Sequence, residues 1–70
     1  MIKVERLNGK EFFINCELIA FVEETPDTVI TLTTGQKVVV ANKADDIVNR
    51  IIEYKAKIME YKDYLLMKEV

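Results

Sequence analysis

The 70-residue chain contains no histidine, no tryptophan and a single cysteine, Cys16. The lack of histidine argues against a structural zinc site and excludes a cysteine–histidine catalytic pair. One cysteine cannot form an intramolecular disulfide, and an unpaired thiol is typical of proteins in a reducing compartment. We therefore expect a cytoplasmic protein, with Cys16 as a small buried side chain, whose stability comes from its core or from oligomerisation.

A long uncharged apolar segment is also missing, because charged residues interrupt the apolar ones from the opening MIKVERLNGKEFF onward. This pattern predicts neither a signal peptide nor a membrane-spanning helix. The formal net charge is −2, and the lack of a basic surplus argues against a general nucleic-acid-binding protein. A local phosphate-binding patch stays open as an alternative, formed at one end of the sheet by Lys3, Arg6, Lys10 and Lys37.

Catalytic motifs are absent too. Adjacent carboxylates occur only at residues 23–24 and 45–46, and no neighbouring residue would complete a metal shell or activate a nucleophile. The two glycines are isolated from each other and form no phosphate-binding loop. We expect a protein that is not an enzyme and that has no cofactor, metal ion or small-molecule substrate.

What the sequence does contain is a series of short, mostly alternating apolar and polar segments, the pattern of half-buried β-strands. We predict five strands, at residues 2–6, 10–14, 18–24, 29–33 and 36–41. The third segment is mostly apolar, which is typical of a central strand covered on both faces. Because every connection is short, the pattern predicts a small antiparallel meander that is strongly twisted or curled into a partly open barrel.

Turn residues separate the predicted strands. Asn8-Gly9 favours a type I′ turn, in which both central residues have positive φ. Between the third and fourth strands, Pro26 is expected at the first central position of a turn and Asp27 at the second. Phe13 is expected to point outward from the second strand. The candidate partner-binding residues from this pattern are the second turn and this aromatic side chain: Phe13, Thr25, Pro26, Asp27 and Thr28.

A surface strip is a further expectation from the alternation of the strands. Phe13, together with Val29 or Val39, would form an outward apolar strip on the sheet. A neighbouring subunit or the C-terminal helix would be expected to cover such a strip.

The second part of the chain predicts one long α-helix over residues 42–69, because no glycine or proline occurs from Lys43 onward. Asn42 is expected to be its N-cap. Over the first three turns, an apolar face would cover the sheet, formed by Ala44, Ile47, Val48, Ile51 and Ile52. A helix of this length spans about 40 Å, whereas a short strand spans only about 17–20 Å. The helix is therefore expected to extend beyond its sheet.

Apolar residues continue along the helix with alternating spacings of three and four, the pattern of a coiled-coil seam. The seam positions are Ile51, Tyr54, Ile58, Tyr61 and Leu65. We predict that these residues mediate homo-oligomerisation. The whole chain is then a single α+β domain, with residues 1–41 in the sheet and the second half of the helix as the oligomerisation segment.

Two ordered stretches resemble a known family. RLNGKEFFIN at residues 6–15 and LIAFVEETPDTVITLTTGQKVVV at residues 18–40 are similar to the FlbD-type flagellar protein family, also called swarming motility protein SwrD. The similarity covers roughly residues 1–58. The most specific matching elements carry no reaction chemistry: Leu7-Asn8-Gly9, and Glu24-Thr25-Pro26-Asp27-Thr28 followed by Ile30-Thr31-Leu32 and Gly35. What the resemblance carries over is the shape of the two presented turns, formed by Asn8, Gly9, Thr25, Pro26, Asp27, Thr28 and Gly35. Asn8 and Gly9 thereby join the candidate partner-binding residues.

This resemblance implies a non-enzymatic bacterial protein that supports swarming motility and flagellar motor power by contact with motor or stator components. It would be cytoplasmic or peripheral at the inner membrane near the motor, and it would not span the membrane. One alternative is a small nucleic-acid-binding regulator of flagellar gene expression, and another is a purely structural oligomer. The residues after 58 lie beyond the resemblance, so any role for them rests on the helical pattern alone.

Overall fold

The computed structural model describes residues 1–68 and shows five short antiparallel strands followed by one long helix. The strands are β1 (Ile2–Glu5), β2 (Glu11–Ile14), β3 (Ile19–Glu24), β4 (Thr28–Leu32) and β5 (Lys37–Val40), and the helix is α1 (Ala44–Lys68). A short 3₁₀ helix at Cys16–Leu18 joins β2 to β3. The predicted α+β class, the strand number and the long C-terminal helix are confirmed. Residue 69, the last of the predicted helix, lies outside the described residues.

The strands form two sheets rather than one. β1 pairs with β2, and β3, β4 and β5 form a second antiparallel sheet in that order. The two sheets meet where β1 and β5 end, since the Ala41 N–H donates to the Glu5 carbonyl at 2.7 Å. This junction does not close the sheets into a barrel.

β3 is an edge strand, so its predicted central position was wrong. It pairs only with β4 among the described strands, and Phe21 is 63% exposed. The register is irregular between Ile19 and Phe21. Ile19 and Val22 are three residues apart, so a regular strand would place them on opposite faces. The register irregularity lets both pack against the core. In the sequence, β3 therefore lacks the alternation expected of a strand that is covered on one face only.

The β1–β2 and β4–β5 hairpins share the same three-residue loop. Around Gly9, the Arg6 N–H donates to the Lys10 carbonyl at 2.8 Å and the Gly9 N–H donates to the Arg6 carbonyl at 2.9 Å; equivalent bonds surround Gly35. The two glycines have φ of 86° and 92°, and no other described residue has positive φ. The expected type I′ turn is therefore wrong, because Asn8 would also need positive φ. A turn followed by a left-handed glycine is the usual geometry of three-residue hairpin loops.

The core lies between the two sheets and beneath the first half of α1. Its buried residues are Ile2, Val4, Ile14, Cys16, Ile30, Val40 and Ile47. Ile51 and Tyr54 of the helix pack against them. Val48 and Ile52 were expected to cover the sheet, but they are 47% and 59% exposed. The prediction failed for them because only a narrow stripe of the helix faces the strands.

Polar contacts determine the direction of α1 across the sheets. Near its start, Arg50 Nη1 donates to the carbonyl of Lys3 in β1 at 2.7 Å. Further along, Lys55 Nζ lies 3.9 Å from Glu17 Oε1 in the 3₁₀ helix. The helix therefore passes the last residues of β1 first and then extends beyond the first residue of that strand. The molecule measures 51 × 24 × 18 Å, which confirms that the helix is longer than its sheet.

Candidate functional site

Two exposed regions at opposite ends of α1 contain most of the candidate residues. At one end, the loop between β3 and β4 meets the start of the helix; at the other, the helix extends past the strands. Among residues 1–68, no group of three or more cysteine, aspartate or glutamate side chains is placed to hold a metal ion.

The β3–β4 loop contains the predicted turn. Strand pairing continues to Glu24 and Thr28, so the loop has three residues, Thr25–Asp27, and not the two central residues that were expected. The Thr25 N–H donates to the Asp27 carbonyl at 3.3 Å, and Thr25 Oγ1 donates to the Glu24 carbonyl at 2.6 Å. The Thr25–Pro26 peptide bond is cis. The loop is thus held by its own hydrogen bonds.

Glu24 connects this loop to the helix. Its Oε1 accepts the N–H of Ala44, the first residue of α1, at 2.7 Å. The same oxygen accepts from Thr28 Oγ1 at 3.4 Å. A carboxylate on an otherwise unpaired N–H at a helix start both satisfies that donor and interacts favourably with the helix dipole. Glu24, one of the adjacent carboxylates for which the sequence indicated no catalytic or metal-binding role, is therefore the side chain that caps the helix.

Asn42, the predicted N-cap, has another role. Its Oδ1 accepts the Glu5 N–H at 2.8 Å, and its Nδ2 donates to Asp46 Oδ2 at 3.2 Å. It therefore links the end of β1 to the first turn of α1. The N-cap prediction was wrong because a side chain twenty residues earlier reaches the helix start. Local sequence carries no signal of such a distant partner.

Next to this contact lies a small open cleft, which we call the turn cleft. Its volume is about 190 Å³, and it is lined by Leu7, Glu24, Pro26, Asp27, Thr28, Val40, Ala41 and Lys43. Three of the predicted site residues thus line one cleft. Leu7 brings the β1–β2 loop to it, although Asn8, Gly9 and Thr25 are not lining residues. Pockets for drug-sized ligands measure about 300–1,000 Å³, so this cleft fits a single side chain better than a whole small molecule.

The charges of the turn cleft are only partly neutralised. Glu24 is engaged with Ala44 and Thr28. Within residues 1–68, neither Asp27 nor Lys43 forms an ion pair or a side-chain hydrogen bond. Both side chains are exposed. The cleft therefore offers one carboxylate and one ammonium group beside an apolar floor of Val40, Ala41 and Pro26.

Phe13 lies away from this cleft. It is 64% exposed on β2, as predicted, and its ring centroid is 5.8 Å from Lys3 Nζ. Val29 and Val39 are paired with each other in the other sheet. Strand pairing therefore does not join Phe13 to the two valines, and the predicted apolar strip is divided between two sheets.

The four basic residues of the predicted phosphate patch are not brought together at one end. Arg6 and Lys10 flank the β1–β2 loop, and Arg6 stacks 4.3 Å from the Phe12 ring centroid. Lys3 pairs with Glu11 at 3.0 Å. Lys37 is the first residue of β5. Arg6 instead lies near Ala41, the residue that follows the last residue of β5. Lys37 is thus separated from Arg6 by the length of a strand.

The far end of α1 contains most of the predicted oligomerisation residues. We call residues 56–68 the overhang, because the last described ion pair between α1 and the preceding part of the chain joins Lys55 to Glu17 of the 3₁₀ helix. Ile58, Tyr61 and Leu65 are 37%, 62% and 41% exposed. Ile51 and Tyr54 instead pack against the core. The predicted seam is therefore divided between the core of this chain and an exposed surface.

An ion pair beside the core ties the first helical turns to β1. Arg50 Nε lies 3.1 Å from both carboxylate oxygens of Asp46. The hydrogen bond from Arg50 holds the pKa of Asp46 below its ordinary value of 3.8, against the opposing effect of partial burial, and Asn42 lowers this pKa further. The same contact raises the pKa of Arg50. Asp46 and Arg50, four residues apart on the helix, thus form an ion pair, whereas no described ion pair forms between Glu53 and Lys57, which have the same spacing.

The length and composition of α1 also bear on membrane insertion. Over the part of the chain that the structure describes, no helix combines the length and apolar character needed to cross a membrane.

Comparison with known proteins identifies the family. The family model of FlbD, described as flagellar and swarming motility proteins, matches residues 1–59. No curated protein and no solved structure matches the chain. The matched region includes all five strands, the turn cleft and the core-packed half of α1, but not Tyr61 or Leu65. Since the match covers most of the 70 residues, the chain belongs to the FlbD family of flagellar and swarming motility proteins.

Proposed function

We propose that this chain is a non-enzymatic accessory of the bacterial flagellar motor, supporting swarming and motor power by binding a motor or stator protein through the turn cleft. It would act in the cytoplasm or at the inner face of the membrane near the motor. The family supports the link to motility. The observation that carries the binding site is the convergence of the β3–β4 loop, Leu7 and the helix start on one cleft.

Rigidity of the cleft supports a role in recognition. Glu24 holds the helix start, Thr28 is only 4% exposed, and the loop carries two internal hydrogen bonds. Such a surface loses little conformational entropy on binding. The unpaired Asp27 would select a basic group on the partner, and Pro26 and Val40 would contact its aliphatic part. A lysine or arginine side chain meets both requirements.

Replacement of Asp27 by alanine tests the proposal. We expect Asp27→Ala to reduce swarming and motor torque while the fold, the number of flagella and the flagellar transcript levels stay unchanged. Glu53→Ala is the matched control, since it removes the same charge from an exposed position that lies outside both the turn cleft and the overhang. Full motility of the Asp27 variant would refute a contact through this cleft.

Crosslinking identifies the partner directly. A photoreactive residue at position 27 should capture a motor or stator protein in cells, whereas the same residue at position 53, outside both the turn cleft and the overhang, should not. Capture of the same protein from both positions would contradict a localised site at the cleft.

The nucleic-acid alternative receives no support from the surface. Lys3 is paired with Glu11, and Lys37 lies at the opposite end of β5 from Arg6. Binding to DNA or RNA at physiological ionic strength, with affinity that falls steeply as salt rises, would favour it. Loss of flagellar transcripts in a deletion strain would point the same way.

A further inference from the structure

The overhang carries a second interaction surface that is separate from the turn cleft. Its apolar seam is formed by Ile58, Tyr61 and Leu65, all exposed in the described structure. The preceding seam positions, Ile51 and Tyr54, are already packed on the core of the same chain. The exposed seam is therefore less than two heptads long, whereas a stable coiled coil usually needs about three to four. The seam alone is too short for efficient pairing with an identical helix.

The charges beside the seam also oppose self-pairing. With 3.6 residues per turn, Lys57 lies about 80° to one side of the seam centre and Lys62 about 60° to the other. These are the g and e positions that face each other across a parallel coiled coil. In a parallel pair Lys57 would meet Lys62 of the second copy, and in an antiparallel pair each lysine would meet its own equivalent. Both arrangements place like charges together.

The acidic residues of the overhang do not relieve this repulsion. Glu60 and Asp63 lie about 140–160° from the seam centre, on the opposite face of the helix. Lys55, the third flanking lysine, is near Glu17 of the same chain at 3.9 Å. Lys57 and Lys62 form no ion pair among residues 1–68. The seam is thus apolar along its centre and basic along both borders.

We propose that the overhang docks in an apolar groove bordered by carboxylates on a partner protein, rather than against a second copy of this chain. A groove contacts several sides of a helix at once, so it buries more surface per residue than one parallel helix does. Carboxylates along the groove would pair with Lys57 and Lys62 while the groove takes up the seam. Anionic membrane is a poorer match, because interfacial helices carry lysine and arginine on the face opposite the apolar one, where this helix carries Glu60 and Asp63.

Two helical peptides test the charge requirement with the full chain. Each peptide is a helix–loop–helix hairpin whose two helices present an apolar groove of isoleucine and leucine; glutamate borders the groove in one peptide, and lysine borders it in the other. Fluorescence anisotropy at low salt should show that the glutamate peptide binds about tenfold more tightly, since opposite charges beside an exposed helix attract and like charges repel by a similar amount. Equal binding of the two peptides would overturn the proposal.

Two variants show whether the overhang is the part of the chain that binds the peptides. Lys57→Glu/Lys62→Glu should reverse the preference toward the lysine peptide, and Leu65→Asp should abolish binding of both. Lys10→Glu/Lys37→Glu is the control with the same change in net charge, and it should leave the preference unchanged. All these side chains are exposed, so circular dichroism should show an unaltered fold. An unchanged preference in the Lys57/Lys62 variant would place peptide binding elsewhere and overturn the proposal.

Two other binding partners of the overhang, a second copy of this chain and an anionic membrane, are distinguished by separate measurements. Light scattering should give the monomer mass of 8.1 kDa for the wild type at tens of micromolar. A larger mass that Ile58→Asp/Leu65→Asp returns to monomer would make a second copy the occupant, as the seam spacing alone predicts. Lysine-dependent binding to phosphatidylglycerol vesicles would make the membrane the occupant. Either result would overturn the proposal and leave the turn cleft unaffected.

Discussion

The contact between Glu24 and the start of α1 leads to a quantitative prediction for stability. Glu24→Ala removes the acceptor of the Ala44 N–H, a hydrogen bond of 2.7 Å. Loss of an N-terminal cap typically costs about 0.5–2 kcal/mol, and the lost attraction between carboxylate and helix dipole lies within that range at an exposed site. We expect the free energy of unfolding to fall by about 1 kcal/mol, which lowers the Tm of a domain this small by about 4–8 °C.

Two further variants separate the causes of this loss. Glu24→Gln keeps an oxygen acceptor but removes the charge, so it should lose about half as much stability as Glu24→Ala. Glu23→Ala is the matched control: Glu23 is exposed on the same strand, and its side chain forms no described hydrogen bond or ion pair. Its unfolding free energy should change by less than about 0.5 kcal/mol.

Urea denaturation followed by circular dichroism measures all three variants. The slope of the transition should stay constant, since only the midpoint is expected to change. Equal stability of Glu24→Ala and Glu23→Ala would refute the cap and, with it, the explanation of how the turn cleft is held. Raising the salt concentration should reduce the difference in unfolding free energy between Glu24→Gln and wild type, because salt screens the interaction between the carboxylate and the helix dipole.

Three other predictions concern the core, a turn and an ion pair. Ile47→Ala should cost about 2–4 kcal/mol in denaturation experiments because Ile47 is fully buried, whereas Ile52→Ala, at 59% exposure, should cost less than about 1 kcal/mol. Gly35→Ala should cost about 1–2 kcal/mol from its φ of 92° alone, since no atom lies within 4 Å of the added Cβ. Because Arg50 lowers the pKa of Asp46 in the fold, the stabilisation from this carboxylate is present above pH 3.8 and is lost as the pH falls through the lower, folded value. Its size should stay below about 1 kcal/mol at this exposed site, and Asp46→Asn should flatten that part of the pH–stability curve.

The elements that depend on local pattern could be predicted from the sequence. Alternation identified the inward faces of β1, β2 and β4, and the absence of glycine and proline identified α1. The mismatch between helix and strand lengths followed from the rise per residue alone. These predictions succeed because each depends on neighbours within a few residues.

The parts that failed depend on distant partners. Glu24 caps a helix that begins twenty residues later, so the nearer Asn42 was the better local choice and yet serves β1 instead. The irregular register of β3 displaced its inward residues and made an edge strand resemble a central one. For the candidate site, the turn residues were recognised one loop at a time. Only the folded chain places Leu7 beside Pro26 and Lys43.

The direction of α1 separates the two proposed surfaces. The helix begins at the turn cleft, where Ala44 is capped by Glu24, and its last described ion pair with the preceding part of the chain is at Lys55, before the overhang. Its 25 residues rise about 37 Å. This length keeps a partner bound at the turn cleft away from a partner bound at the overhang. The two surfaces can therefore be inactivated independently. If both proposals hold, Asp27→Ala and Lys57→Glu/Lys62→Glu should each remove one partner and leave the other bound, and the chain would act as a rigid connector between two proteins.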